Sequence, residues 1–408
     1  MDDRSSEHRH ERGDDLARAV DWACRLIRHP TISADSNLAL IAEVETELAS
    51  LGFECRRFPN PEGTKANLLA SIGPERPGGI VFSGHTDVVP TAGQAWSHDP
   101  FDPRVVEGRL YGRGATDMKG FLGVVMALAS EMAAASLVRP IHLAFSYDEE
   151  VGCAGVGPLV RYLAEVNVQA ELVLIGEPTD MQVVTAHKGI RVLRTTAKGR
   201  AAHSSQPASG ANAIAALARL ALAIEEEAVH LARTERDERF DPPYTTINLG
   251  QIRGGEAVNI VAEQAELIWE YRPLPGTDAE AILARIRQFA EREVLPELAA
   301  GAGEEAAITF ETIAAAPALE SGDNEAAEQL VRRLLGANRA HAVSFTTEAG
   351  LFQRIGGLPA IVCGPGAIAQ AHRPDEWVAL DQLARAIALV RALIAHACEK
   401  TPPMDAMV

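Results

Sequence analysis

The stretch GIVFSGHTDVVP, residues 79–90, runs three apolar residues, Ile80, Val81 and Phe82, into a histidine and an aspartate two positions apart. An apolar run closed by glycine reads as a buried strand. Strand side chains alternate between faces, so His85 and Asp87 can point into one cleft above the end of a sheet. An imidazole that holds a metal through one nitrogen commonly gives its other N–H to a carboxylate, and a His-x-Asp step is one local way to arrange that. A polar turn closing the strand suits the same two residues, so the choice falls to the rest of the chain.

Further apolar runs surround it: NLLASIG at 67–73, IHLAFSY at 141–147, LVLIGEP at 172–178 and PAIVCGPG at 359–366. Between them, helical spacing of apolar residues marks Leu16–His29, Asn37–Leu51, the segment from Phe121, Asn324–Leu335 and Leu380–Ala397. The alternation predicts an α/β unit with a mixed or parallel sheet flanked by helices. Ligands of such sheets sit at the carboxyl ends of the strands, where His85, the run Asp148, Glu149, Glu150, and Glu177 all fall. From about Lys188 the pattern changes to strand, helix, strand, strand, helix, strand, which is the ferredoxin-like βαββαβ unit inserted into the first.

Composition limits what the chain can do. At 408 residues it exceeds one ordinary core and asks for about two domains. With 38 Lys and Arg against 56 Asp and Glu, the net charge of −18 argues against nucleic acid and anionic membrane as partners. No long apolar segment suggests a membrane span, and the charged start lacks the apolar region of an export signal. Five scattered cysteines without a C-x-x-C point to a reducing, cytoplasmic setting rather than a disulfide framework. Residues 1–14 are expected to lack structure.

The most specific stretch is WSHDPFDPRVVEGRLYGRGATDMKG, residues 96–120, whose glycines permit tight turns and whose Asp117 sits at a helix entrance. Asp117 alone would also serve as a helix N-cap. Together, the ordered motifs H-T-D, G-R-G-A-T-D-M-K-G, D-E-E-x-G, G-E-P-T and the late A-H-x-P-x-E-W resemble the M20 family of metallo-aminoacylases and peptidases over nearly the whole chain.

That resemblance implies a zinc-exopeptidase-like catalytic domain, residues 1–187 and 316–408, and an inserted lid and dimerisation domain, residues 188–315. It implies two divalent ions, Zn²⁺ or Co²⁺, with His85 and Glu177 on one, Glu150 and His372 on the other, and Asp117 between. Asp87 would orient His85. Glu149 would be the general base of an amide hydrolysis, and His203 an oxyanion donor reaching the partner's site in a homodimer. Arg272 and Asn259 resemble positions that contact the carboxylate of a small N-acyl amino acid, and Glu348 is expected to meet a cationic side chain, as in N2-acetyl-L-ornithine. Succinyl-diaminopimelate, other N-acyl amino acids and peptides are the alternative substrates.

Overall fold

The computed structural model describes residues 3–399. The chain divides into two compact units. One holds the chain up to Thr185, Leu319–His341 and the part from Thr347 onward; the other holds Ala186–Ala318 and Ala342–Thr346.

The first unit is built on most of an eight-stranded sheet. Its strands lie in the order Glu54–Pro59, Ala66–Ile72, Ile141–Ser146, Ile80–His85, Leu172–Pro178, Ala360–Gly364, Val184–His187, His341–Val343. Ile80–His85 pairs in parallel with both of its neighbours, and Ala360–Gly364 continues parallel to Leu172–Pro178. The pairs on the Glu54–Pro59 side are antiparallel. Every residue of the central strands is buried, which is why they read as unbroken apolar runs rather than alternations.

A wholly buried helix, Lys119–Ala127, packs against the N-terminal helix. The approach is close: a β-carbon at Gly123 would stand 2.6 Å from the Ala19 carbonyl oxygen, so only glycine fits there. Phe82, Phe121, Phe145 and Met118 belong to the core of this unit.

The second unit carries a four-stranded antiparallel sheet in the order Thr246–Gly254, Gln264–Arg272, Ile190–Lys198, Ala307–Ala316. Helices Ala213–Thr234 and Ala279–Phe289 cross over between these strands, giving the ferredoxin-like order. Side chains cap both helices at their starts: Asn212 accepts from the Ala215 N–H, and Asp278 from those of Glu280 and Ala281. Leu193, Trp269, Tyr271, Leu217 and Ile286 form its core.

The described structure differs from the sequence reading in three respects. The first helix runs Asp3–Ile27, through the segment expected to lack structure. That segment has no proline, and the packed turns from Ala19 onward supply the nucleus from which helix propagates outward. The inserted unit is wider than residues 188–315 and takes in a separate piece, Ala342–Thr346. Strands Glu54–Pro59, Arg104–Val106, Arg109–Tyr111 and Trp377–Ala379 were not foreseen. The first lies at the sheet edge, mostly exposed, and the others are too short to show a period.

Candidate metal centre

Strand ends bring the acidic and imidazole groups of the first unit together. His85 is the last residue of its strand, and Glu177 is next to last in Leu172–Pro178. A β-carbon on Gly176 would lie 2.0 Å from the Phe121 ring, so the glycine lets the strand carrying Glu177 rest on that ring. Glu149 and Glu150 occupy the turn after Ile141–Ser146 rather than the strand itself. His372 sits in a loop with φ of 61°, a left-handed conformation rare for a residue with a β-carbon. Asp117 precedes the buried helix, whose N-cap is Met118, and its carboxylate is turned to the histidines instead of to the helix end. The Asp117–Met118 peptide bond is cis.

Asp117 stands between two sets of donors. Its Oδ1 is 2.9 Å from His85 Nε2, which is 3.7 Å from Glu177 Oε1. Its Oδ2 is 3.2 Å from His372 Nε2, which is 2.9 Å from Glu150 Oε2. Four ligand atoms held about 2.0–2.2 Å from one tetrahedral ion stand roughly 3.3–3.6 Å apart, close to these spacings. His85, Asp117 and Glu150 offer atoms within 4.8 Å of one another, and so do His85, Glu149 and Glu177. Glu149 therefore lies within reach of the first position as well as being the expected base.

The electrostatics call for added positive charge. Burial pushes the Glu149 carboxyl well above its usual range, with His85 opposing and the Glu150 and Asp117 charges adding to the rise. Burial and then Asp117 lift Glu150 to about 7. Glu177 is driven far up by burial, Asp117 and Glu149. Burial would raise Asp117 too, but hydrogen bonds from His372 and His85 hold it below the normal carboxylate range. His372 is lifted to about 10 by its bonds to Asp117 and Glu150. Glu150 Oε1 is buried and has no hydrogen-bond partner among the described residues. Carboxylates packed this way share protons or take cations, and the mixed oxygen and imidazole set suits Zn²⁺ or Co²⁺. The residues present fit a pair of divalent ions.

Asp87 departs from the expected role. His85 Nδ1–H donates to the Asp87 main-chain carbonyl at 2.9 Å, while the nearer carboxylate oxygen is 3.6 Å away. The carboxylate instead accepts from Ser33 Oγ at 2.7 Å and from the backbone N–H groups of Glu149 and Glu150 at 3.2 and 3.3 Å. The chain leaves the strand at His85, so strand alternation no longer governs where Asp87 points.

Glu348 is 1% exposed, and among the described residues neither of its oxygens has a hydrogen-bond partner of regular geometry. Burial lifts it to about 7 against the smaller pull of the Ser146 hydroxyl and His85. In the second unit, His203 is exposed and its Nδ1 accepts the Ser205 N–H at 3.1 Å, which puts the proton of the neutral ring on Nε2. Arg272 donates through Nε to Glu270 at 3.0 Å, and Asn259 is exposed.

Sequence reading passed over two neighbours of the cluster. Cys153 donates its thiol hydrogen to Glu149 Oε1 at 3.3 Å, from a backbone with φ of 57°. Glu376 lies inside the quoted A-H-x-P-x-E-W motif, which signalled its position without assigning its partners. It is buried and accepts the Thr116 and Asp117 N–H groups.

Fold and donor set together define a candidate centre for divalent ions. A sequence profile of peptidase family M20/M25/M40 matches residues 81–396, and the chain belongs to that family. It is 33% identical over 383 residues, 92% of this chain and 96% of the other, to an acetylornithine deacetylase of Photorhabdus laumondii subsp. laumondii. Its fold resembles that of an M20 family metallo-carboxypeptidase from Sulfolobus solfataricus, with a TM-score of 0.73, 18% identity, and 93% and 99% of the two chains covered. The YXEP protein of Bacillus subtilis, described as a dinuclear metal-binding peptidase of the family, matches with a TM-score of 0.63 at 17% identity over 95% and 99% of the chains.

Proposed function

We propose that the chain hydrolyses the acetamide of N2-acetyl-L-ornithine to L-ornithine and acetate, in the cytoplasm and as a homodimer. The observation that carries the reaction is Glu149, a half-buried carboxyl of raised proton affinity beside two sets of ligand atoms joined by Asp117. His85 and Glu177 would hold one divalent ion, Glu150 and His372 the other, with Asp117 between them. Such a pair supplies Lewis acidity to the amide carbonyl and lowers the pKa of water toward neutrality.

Glu149 takes the proton of the attacking water and returns it to the leaving amine. The Asp87 carboxylate steadies this base by accepting the backbone N–H groups of its turn. Nε2–H of His203, reaching from the partner subunit, donates to the oxyanion of the tetrahedral intermediate. Arg272 and Asn259 bind the substrate carboxylate.

The choice of substrate rests on Glu348 and on the likeness to an acetylornithine deacetylase. A carboxylate as buried as that of Glu348 discriminates strongly for a cationic group and against a neutral one. Five cysteines without disulfides support the reducing compartment.

The test is a hydrolysis panel of acetyl, succinyl and peptidyl amino acids with Zn²⁺ and with Co²⁺. N2-acetylornithine should be preferred, chelation should abolish turnover, and Glu348→Gln should reduce kcat/KM for acetylornithine far more than for acetylmethionine. A wild-type preference for succinyl-diaminopimelate or for dipeptides overturns the substrate, and equal losses in both substrates remove Glu348 from selecting the side chain.

A further inference from the structure

Glu376 collects an unusual number of donors for one buried carboxylate. Its Oε1 accepts from the Thr116 and Asp117 N–H groups at 2.9 and 3.0 Å. Its Oε2 accepts from the Gly114 N–H at 3.0 Å and from Arg113 Nη1 at 2.6 Å. Its own carbonyl accepts the Gly112 N–H at 3.0 Å. Both members of the Arg113–Glu376 pair are 1% exposed. The Gly112–Asp117 loop is thus wrapped on one residue.

The same pair reaches the other side of the cluster. Arg113 Nη2 donates to Gln94 Oε1 at 2.6 Å, and Gln94 Nε2 donates to the His372 carbonyl at 3.1 Å. His372 has its left-handed backbone only four residues before Glu376. A single hydrogen-bonded ring therefore ties down Asp117 and His372, while His85 and Glu177 are held by strands of the central sheet.

We infer that Arg113, Glu376 and Gln94 are positioning residues that act mainly on one of the two cation positions, the one served by Glu150 and His372, and set its affinity more strongly than that of the other, with which it shares Asp117. The inference rests on the two-ion reading above. A buried ion pair that merely stabilised the fold would not discriminate between two positions in the same cleft, whereas a group that orients ligands acts on the ion those ligands hold.

The experiment is calorimetric titration of metal-free protein with Zn²⁺, alongside metal analysis and circular dichroism. Two binding steps in the wild type are the premise; a single step there would bring down the two-ion reading, and this inference with it. Given two steps, His372→Ala identifies which step belongs to the Glu150–His372 position. Glu376→Gln should weaken that step by about 10–100-fold, the range for residues that orient metal ligands, and the other step much less. Gln94→Ala should weaken the same step to a smaller degree, and neither change should weaken it further in a His372→Ala background. Glu131→Gln, which breaks the distant Arg391–Glu131 pair, should alter neither step. Equal weakening of both steps, or no weakening, overturns the inference. If Glu376→Gln does not fold, Gln94→Ala decides alone, since it removes no buried charge.

Discussion

Glu149 is surrounded by groups that bear on its proton: His85, Glu150, Asp117 and the thiol of Cys153. Replacing it by glutamine keeps size and hydrogen bonding but removes the base. Glu149→Gln should retain fold and bound metal and lose about 10²–10⁴-fold in turnover, measured by steady-state kinetics with metal analysis in parallel. Near-normal turnover would place the base elsewhere. His142, away from the cluster on strand Ile141–Ser146, reports on stability instead. Burial pushes its pKa down to about 4, with Ser71 Oγ 2.8 Å from Nδ1. Because the unfolded chain binds this proton more readily, the contribution is full above the unfolded value near 6.5 and is lost as pH falls from there toward 4. The loss is about 3 kcal/mol at its limit. Wild-type stability in urea should therefore fall between pH 7 and 4.5, and His142→Gln should flatten that fall; an unchanged slope would show that other groups govern it.

At the scale of elements, the centre depends on where strands stop and how the next turn is held. The turn bearing Glu149 and Glu150 begins at Asp148, whose φ is 57° and whose carboxylate pairs with Lys65 Nζ at 2.6 Å. Asp87 then clamps the turn through two backbone N–H groups. The strand Leu172–Pro178 has no such clamp at Gly176 and is seated by direct contact with the Phe121 ring. Gly176→Ala cannot be accommodated without moving the ring or the strand, and overpacking of this sort costs about 1–3 kcal/mol. Urea denaturation should show a lower midpoint with an unchanged slope, accompanied by weaker metal binding through Glu177. An unaltered midpoint would mean that the ring shifts at little cost.

At the scale of the whole molecule, each unit carries part of the proposed chemistry: the first unit the metal ligands and base, the second His203, Arg272 and Asn259. A chain acting through its partner's His203 should pass a complementation test. Mixing His203→Ala subunits with Glu149→Gln subunits should restore activity well above either parent, because one site in each heterodimer is intact. Absence of rescue between folded, exchanging subunits would reject the role in trans. Among the described residues no helix is long and apolar enough to cross a membrane.

Much of this was legible in residue order. Continuous apolar runs marked the central strands because parallel strands are buried on both faces. The change of pattern near Lys188 marked the inserted unit, because βαββαβ order is written locally. Motif order points to His85, Asp117, Glu150, Glu177 and His372 without any distance between them. Other features depend on groups far apart in the chain. Nothing local shows that the Asp87 carbonyl rather than its carboxylate meets His85, since that turns on where the strand ends. The Glu376 clamp joins residues about 260 positions apart. Residue order determined which side chains the protein owns and which strands carry them; the fold decided which atoms of those side chains meet, because hydrogen bonds and buried charges are settled by distances that only packing creates.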